Sequence, residues 1–327
     1  MFFMGIDSSC YTSSIAIVDE QENLIYDGRK ILEVEQGGRG LRQSEAVFQH
    51  MNNLPLLCTE ALSRVEPQKL AAIGVSTSPR TQEGSYMPVF TAGHNIAKVI
   101  SSCTAAPILS LSHQEGHILA GAWSIGKIMT GSYLVYHISG GTSELLLADE
   151  KSAEIRIIGG TEDLNAGQYI DRIGVALGMK FPCGREMDNL CSRTDIPELP
   201  LPVSVKGSFL SFSGPESHVQ RLISKENTLT TEFKAAVAYA VFQNIAVTLE
   251  KSILNACIET GLREVLMVGG VASNSVIRGH LEGSSKFRRA GIQAVISKPE
   301  YSSDNAVGAA VYAKRHYKHR GGFHEQF

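Results

Sequence analysis

Two histidines four positions apart, in the run His113-Gln114-Glu115-Gly116-His117, are of the residue type that holds a metal ion. On a helix, positions i and i+4 stack on one face, so both imidazoles can reach one ion. A helix start with two solvated histidines has the same spacing. The order of the residues separates two chemistries. A zinc peptidase helix carries its general base directly after the first histidine, whereas Glu115 follows two residues on, about 200° around a helix from His113. Glu115 therefore points away from a metal held by the two rings, and peptide hydrolysis of that kind is not expected.

Other short motifs suit an anion or a nucleotide. Ser139-Gly140-Gly141 is a turn whose glycines let backbone N–H groups converge on phosphate, taking φ above zero where needed, although an ordinary tight hairpin explains a lone S-G-G equally well. Gly269-Gly270 ends a strand and opens towards a helix containing Asn274, the place where α/β sheets bind nucleotides. Asp7-Ser8-Ser9 is the matching first turn near the start of the chain. Asp304-Asn305 opens the last helix, where Asp304 can cap the helix and ligate a metal as well.

These residues must be positioned by regular elements, and the apolar pattern supplies them twice. Phe2 to Ile6, Ser13 to Val18 and Asn23 to Arg29 read as three consecutive strands, followed by a helix over Ser44 to Arg64 that Pro55 should kink or split. A strand at Ala71 to Val75, a helix at Phe90 to Ile100 and a strand at Pro107 to Leu111 complete a β-β-β-α-β-α-β order. The second half repeats it, with strands Tyr133 to Ile138, Glu144 to Ala148 and Glu154 to Ile158, and helices Ala166 to Leu177 and Thr231 to Thr260. A strand Val265 to Val268, a helix Asn274 to Leu281, a strand Ala294 to Ser297 and a closing helix Asn305 to Arg315 follow. The repetition predicts two similar α/β lobes with a cleft between them, 1–126 and 127–327, the second carrying a helical insertion at about 161–230.

Composition limits the function classes. The chain has 327 residues, 43% of them hydrophobic and 19% charged, which is enough for two packed cores. A net charge of −3 gives no basic field for nucleic acid, so any RNA contact must be local or supplied by a partner. Six cysteines without a C-x-x-C pair argue for reduced thiols. With no signal peptide and no apolar run of about 18 residues, a cytoplasmic protein with no membrane role is expected.

Read together, Gly5-Ile6-Asp7-Ser8-Ser9-Cys10, His113-Gln114-Glu115-Gly116-His117, Ile138-Ser139-Gly140-Gly141, Ala166-Gly167-Gln168-Tyr169-Ile170-Asp171, Phe181-Pro182-Cys183-Gly184, Ser211-Phe212-Ser213-Gly214, Gly269-Gly270-Val271-Ala272-Ser273-Asn274 and Ser303-Asp304-Asn305 form an ordered set. The set resembles the TsaD, or glycoprotease-like, family, whose members transfer a threonylcarbamoyl group to a tRNA adenosine. The resemblance implies a duplicated actin-like, sugar-kinase-like (ASKHA) fold with two lobes around a nucleotide cleft. It also implies an acyltransferase that binds one divalent ion, iron or zinc, and takes ATP, AMP or threonylcarbamoyl-AMP as ligand. Partners implied are tRNA, proteins of a modification complex, and a second copy or a related actin-like subunit. Carried over by position, His113, His117 and Asp304 are the metal ligands. Asp7, Ile138, Ser139, Gly140, Gly141, Asp171, Gly184, Asp188 and Asn274 are the substrate and nucleotide contacts. His137 stands where some members carry a metal-reaching tyrosine. A histidine in a half-buried strand is more often structural, but imidazole is a good ligand for iron or zinc, so a site of three imidazoles and one carboxylate is expected.

Four positions depart from the family pattern. Tyr11-Thr12 replaces acidic residues, Ser78-Pro79-Arg80 replaces a Gly-Pro-Gly loop, Thr142 follows the S-G-G turn, and Pro215-Glu216 stands where Leu-Lys is usual. Glu216 would repel anionic substrate or RNA phosphate, and no general base is assigned beside Cys10. The fold and metal site look kept and the acceptor side changed. Transfer of threonylcarbamoyl to tRNA is therefore the first expectation, and an adenylate-binding paralogue with a regulatory or scaffolding role, or a different acceptor, is the alternative.

Overall fold

The computed structural model describes residues 1–9, 11–33, 41–81, 84–149, 154–192 and 196–317; Cys10 of the first motif lies outside them. The chain divides into two compact units, Met1–Lys127 with the segment from Ser303 onward, and Ile128–Ser302.

In unit 1, β1 (Phe2–Asp7), β2 (Thr12–Asp19) and β3 (Leu24–Ile31) form an antiparallel meander, followed by α1 (Gln43–Leu62), β4 (Leu70–Ser78), α2 (Phe90–Thr104), β5 (Ile108–Ser112) and α3 (His113–Ser124). The sheet order is β3-β2-β1-β4-β5, with β4 parallel to both β1 and β5. Alternation along β1 divides its two faces. Met4 and Ile6 join Ile15, Ile17, Ile73 and Val75 in a core closed by Leu54 and Leu57 of α1 and Ala97 and Ile100 of α2. Pro55 does not break α1, and both Pro55 and Met51, the residue four positions back whose carbonyl loses its N–H partner, lie on the exposed side of the helix.

In unit 2, β6 (Ser132–Ile138), β7 (Ser143–Asp149) and β8 (Glu154–Thr161) form a second meander. The chain continues through α4 (Ala166–Ala176), α5 (Gly184–Leu190), β9 (Ser204–Lys206), β10 (Phe209–Ser211), α6 (Ser213–Ile223), α7 (Thr231–Thr260), β11 (Glu264–Val268), α8 (Ser275–Glu282), α9 (Ser285–Ala290) and β12 (Gln293–Ile296). The order β12-β11-β6-β7-β8 repeats that of the first sheet, and β10 and β9 extend it at the β8 edge. Buried Tyr136, Ile138, Tyr169, Ile173, Phe212, Val237, Val241 and Ile245 form its core. Short α5, β9, β10 and α6 occupy the expected insertion, where no apolar period ran long enough to announce them individually.

The closing helix, α10 (Val307–His316), corrects the expected boundary, because it packs on the first sheet and not on the second. The reason lies in small residues. Gly5 and Gly74 bring the sheet so close to α10 that a Cβ on either would run into the backbone of Ala306, Ala309 or Ala310, and a Cβ on Gly308 would run into the carbonyl of Gly116 in α3. No described helix is long and apolar enough to cross a membrane.

Candidate functional site

The chemistry of unit 1 collects at the carboxyl ends of β1, β4 and β5. His113 is the first residue of α3, capped by a reciprocal pair: the Ser112 side chain accepts from Glu115 N, and Glu115 Oε2 accepts from Ser112 N at 2.6 Å. Glu115 is thus occupied with the helix start and faces away from the rings, as the sequence order requires. One turn on, His117 Nε2 lies 3.0 Å from His113 Nε2. Asp304 Oδ1, just before α10, lies 3.5 Å from the first and 3.3 Å from the second. Among the described residues these three form the group whose ligand atoms lie within 4.8 Å of one another. Bonds of 2.0–2.1 Å at tetrahedral angles place neighbouring ligand atoms about 3.3 Å apart, so the donor set fits one iron or zinc ion in both spacing and chemistry.

The electrostatics agree with a site of concentrated negative charge. Burial works against a charge on His113, but Asp7 and Asp304 outweigh it and raise the imidazole pKa well above its ordinary value. Burial opposes ionisation of Asp304 as well, yet its hydrogen bonds to His113 and His117 hold it below the usual carboxylate range. Asp7, expected among the nucleotide contacts, turns its carboxylate to His113 Nδ1 at 2.8 Å. Ser76, which no motif singled out, donates to the same carboxylate at 2.7 Å. Arg80 and Pro79 belong to a loop against α3, where Pro79 O accepts from Gln114 N at 3.1 Å, and Tyr11 is exposed.

Unit 2 gathers most of the expected nucleotide residues at the corresponding ends of β6 and β11. Ser139 N donates to Thr142 O at 2.7 Å and closes the turn. Gly140 and Gly141 do not use positive φ; a Cβ on either would meet only open space, so what they provide is room. Behind the turn, Gly167 lets the start of α4 approach so closely that a Cβ there would meet Gly140 Cα at 2.5 Å, and Asn165 Nδ2 donates to Gly141 O at 3.0 Å. Gly269 takes φ 100° against the carbonyl of Ile138, bringing the end of β11 beside the same turn. Asn274 caps α8, its Oδ1 accepting from Val276 N and Ile277 N at 3.1 and 3.0 Å, which leaves Nδ2 as its donor. Asp188 of α5 reaches this helix start by accepting from Ser275 Oγ at 2.7 Å. Asp171 of α4 accepts from Cys183 N at 2.8 Å beside Gly184, and burial raises its pKa. His137 is buried in β6, opposite Glu144 and Val268, with its ring against Gly269.

Asp163 is a residue the sequence did not announce. Its carboxylate accepts from Phe212 N at 3.1 Å, Ser213 N at 3.2 Å and the hydroxyls of Ser211 and Ser213, and so shapes the whole Ser211-Phe212-Ser213-Gly214 motif. An acidic residue in a short polar turn carries no signal of such a role. Glu216 stands in the first turn of α6 and accepts from Gln220 Nε2 at 3.2 Å.

Comparison with known proteins bears on the family and on the fold. The chain matches the TsaD family, described as tRNA N6-adenosine threonylcarbamoyltransferase, over residues 30–311. It is 28% identical to a tRNA N6-adenosine threonylcarbamoyltransferase of Thermus thermophilus, across 99% of this chain and 94% of that protein. Among solved structures, component A of the (R)-2-hydroxyglutaryl-CoA dehydratase of Acidaminococcus fermentans is similar with a TM-score of 0.55 and 16% identity, covering 97% of this chain and 99% of that one. A ROK hexokinase from Thermus thermophilus is similar with a TM-score of 0.53 and 14% identity, over 98% of this chain and 100% of that one. At such identities the two structures speak for the fold alone, which is the duplicated sugar-kinase-like α/β fold. The family match extends over most of the sequence, and the chain belongs to the TsaD family of tRNA N6-adenosine threonylcarbamoyltransferases.

Proposed function

We propose that this chain carries out metal-dependent transfer of a threonylcarbamoyl group from threonylcarbamoyl-AMP to a tRNA adenosine. The observation that carries the reading is the convergence of His113, His117 and Asp304 in a member of a threonylcarbamoyltransferase family. These residues would hold one iron or zinc ion through two Nε2 atoms and a carboxylate oxygen. When bound, such an ion supplies Lewis-acid polarisation of a ligand oxygen. The chain's own residues bind and orient the adenylate. The Ser139 N–H closes the turn on Thr142 O, so the N–H groups of Gly140 and Gly141, following Ile138 and Ser139, are the ones offered to an anionic or polar group, and open space at both glycines admits it. Asp171 and Asp188 accept from ribose hydroxyls, Gly184 leaves room for the flat nucleoside, and Asn274 offers Nδ2. Attack by the adenosine N6 on the carbamoyl carbon forms a C–N bond, releases AMP and frees one proton. Contacts to tRNA come largely from partner proteins, since a net charge of −3 gives no general attraction for RNA.

Within this reading the ligand set is the three residues of unit 1. His137→Leu tests it by chelator competition: unchanged zinc affinity agrees with three ligands, and a loss of about tenfold or more adds His137 as a fourth.

A second reading, an adenylate-binding paralogue that regulates or scaffolds, is favoured by the acidic Glu216 beside the Ser211–Gly214 motif. The deciding experiment incubates the purified chain with threonylcarbamoyl-AMP and unmodified tRNA and measures the modified nucleoside by mass spectrometry. Product that disappears in His113→Ala is the expected result. Adenylate bound tightly with no transfer, alone or with partner proteins, would establish the second reading instead.

A further inference from the structure

Asp7 is 1% exposed, yet each acceptor position of its carboxylate faces a donor. Oδ1 accepts from the Ser9 backbone N–H at 2.8 Å and from the Ser9 hydroxyl. Oδ2 accepts from Ser76 Oγ at 2.7 Å and from His113 Nδ1 at 2.8 Å. A carboxylate has about four lone-pair sites, so none is left for a metal ion or a ribose hydroxyl. An ionised carboxylate only accepts, which places the proton of the neutral imidazole on Nδ1 and the lone pair on Nε2. That lone pair faces His117 Nε2 and Asp304 Oδ1.

We propose that Asp7 is a positioning residue for the metal centre, holding His113 by its Nδ1–H so that Nε2 is presented as a ligand, with Ser76 and Ser9 fixing the angle of the carboxylate. The inference rests on the metal reading above and deepens it. Imidazole ligands generally need such a partner at the second ring nitrogen, which sets both the tautomer and the orientation of the ring. The surrounding strands add a second constraint. Asp7 of β1 pairs with Ser14 of β2, and Ser14 Oγ accepts from Ala306 N at 2.9 Å at the start of α10. Adjacent positions on one strand pair therefore restrain both arms of the site, the ring of His113 directly and Asp304 through the segment that carries it. This constellation reassigns Asp7 from substrate contact to metal support.

The sharpest test is Asp7→Asn. The Ser9 N–H can only donate, so the amide must keep its oxygen at the Oδ1 position and turn its NH2 towards His113 Nδ1. The ring is then driven to the opposite tautomer and loses the lone pair at Nε2, with almost no change in shape. Zinc affinity of the full chain, measured by competition with a chromophoric chelator, should fall 10- to 100-fold. Ser76→Ala should lower it less, and Ser76→Thr, which keeps the hydroxyl, should restore it. Nitrogen-15 NMR should find a slowly exchanging Nδ1 proton on His113 in the parent protein and none in Asp7→Asn. Unchanged affinity together with an unchanged Nδ1 proton in Asp7→Asn would overturn the proposal. If Asp7→Asn does not fold, the Ser76 pair decides: equal affinity in Ser76→Ala and the parent overturns the role of the carboxylate's support. If the parent itself binds no zinc or iron, the metal reading falls, and the Nδ1 proton in the metal-free chain still decides the Asp7–His113 contact separately.

Discussion

Units 1 and 2 place the same five strands in the same order and use the same ends of those strands in opposite ways. In unit 1 the carboxyl ends of β1 and β4 and the position after β5 carry polar side chains, Asp7, Ser76 and His113, with Asp304 entering from the closing segment. In unit 2 the positions after β6 and β11 carry glycines and helix starts, which offer backbone N–H groups and open volume instead of charged side chains. Even the carboxyl groups behave differently. Asp7 and Asp304 are held ionised by imidazoles, whereas burial pushes Asp171 upwards. A duplicated sheet thus provides two comparable platforms, and the residues at the strand ends decide whether a platform suits a cation or an anionic ligand.

The largest effect that could break this contrast is expected at the proposed metal ligands. Loss of His113 or His117 to Ala should reduce zinc affinity by more than about 100-fold, beyond what outer partners contribute, and leave AMP binding to unit 2 within about twofold. Metal analysis after dialysis and calorimetry with AMP check the two halves. Equal metal content in the double variant would remove the cation role of unit 1.

Glycines in the two units should respond unequally. Gly308→Ala forces a Cβ into the Gly116 carbonyl and should destabilise the protein by about 1–3 kcal/mol, as overpacked sites do. Gly140→Ala meets nothing and should stay within about 0.5 kcal/mol while weakening nucleotide binding. Thermal melts and calorimetry on both variants test the pair, and comparable melting losses would remove the distinction between packing glycines and access glycines. Asp171→Ala and Asn274→Ala should each cost AMP binding about 1–3 kcal/mol if they hydrogen-bond the nucleotide, and Asn274→Ala should also lower stability by about 1 kcal/mol through loss of the α8 cap.

The smallest effect concerns acid. Burial opposes ionisation of Asp163, but hydrogen bonds from Ser211, Ser213 and Thr161 and from the Leu164 backbone hold its pKa below the ordinary carboxylate value. A folded-state pKa below the unfolded one contributes stability that is complete above about pH 4 and disappears as pH falls through the folded value. Asp163→Asn should therefore flatten the acid limb of the stability curve, with little change near pH 7 beyond the lost hydrogen bonds. An acid limb identical to that of the parent would show that the Ser211–Gly214 motif does not depend on this charge.

Much of this arrangement was legible in the sequence because it is local. The β-β-β-α-β-α-β order followed from changes of apolar period, and the direction of Glu115 followed from helical geometry, the Ser112 cap that holds it there being visible only in the structure. Asp304 could be linked to His113 only through the family resemblance, since 191 positions (304 minus 113) separate them. The attachment of α10 to the first sheet was not legible, because it depends on Gly5, Gly74 and Gly308 meeting backbone from distant segments, and a glycine in sequence does not say what approaches it. The roles of Ser76 and Asp163 were hidden for the same reason. Their donors and acceptors are assembled by the fold, and neither residue type is unusual where it stands.

The flush seat of α10 on Gly5 and Gly74 has a consequence for the order of events during synthesis. His113 and His117 leave the ribosome long before Asp304, and the first sheet must wait for α10 with the surface around Gly5 and Gly74 uncovered while all of unit 2 is made. The cluster of His113, His117 and Asp304 is consequently one of the last features the nascent chain can complete. Under the proposed metal reading, an ion meeting the two histidines early would find only part of its coordination, and secure loading would be tied to arrival of the final segment.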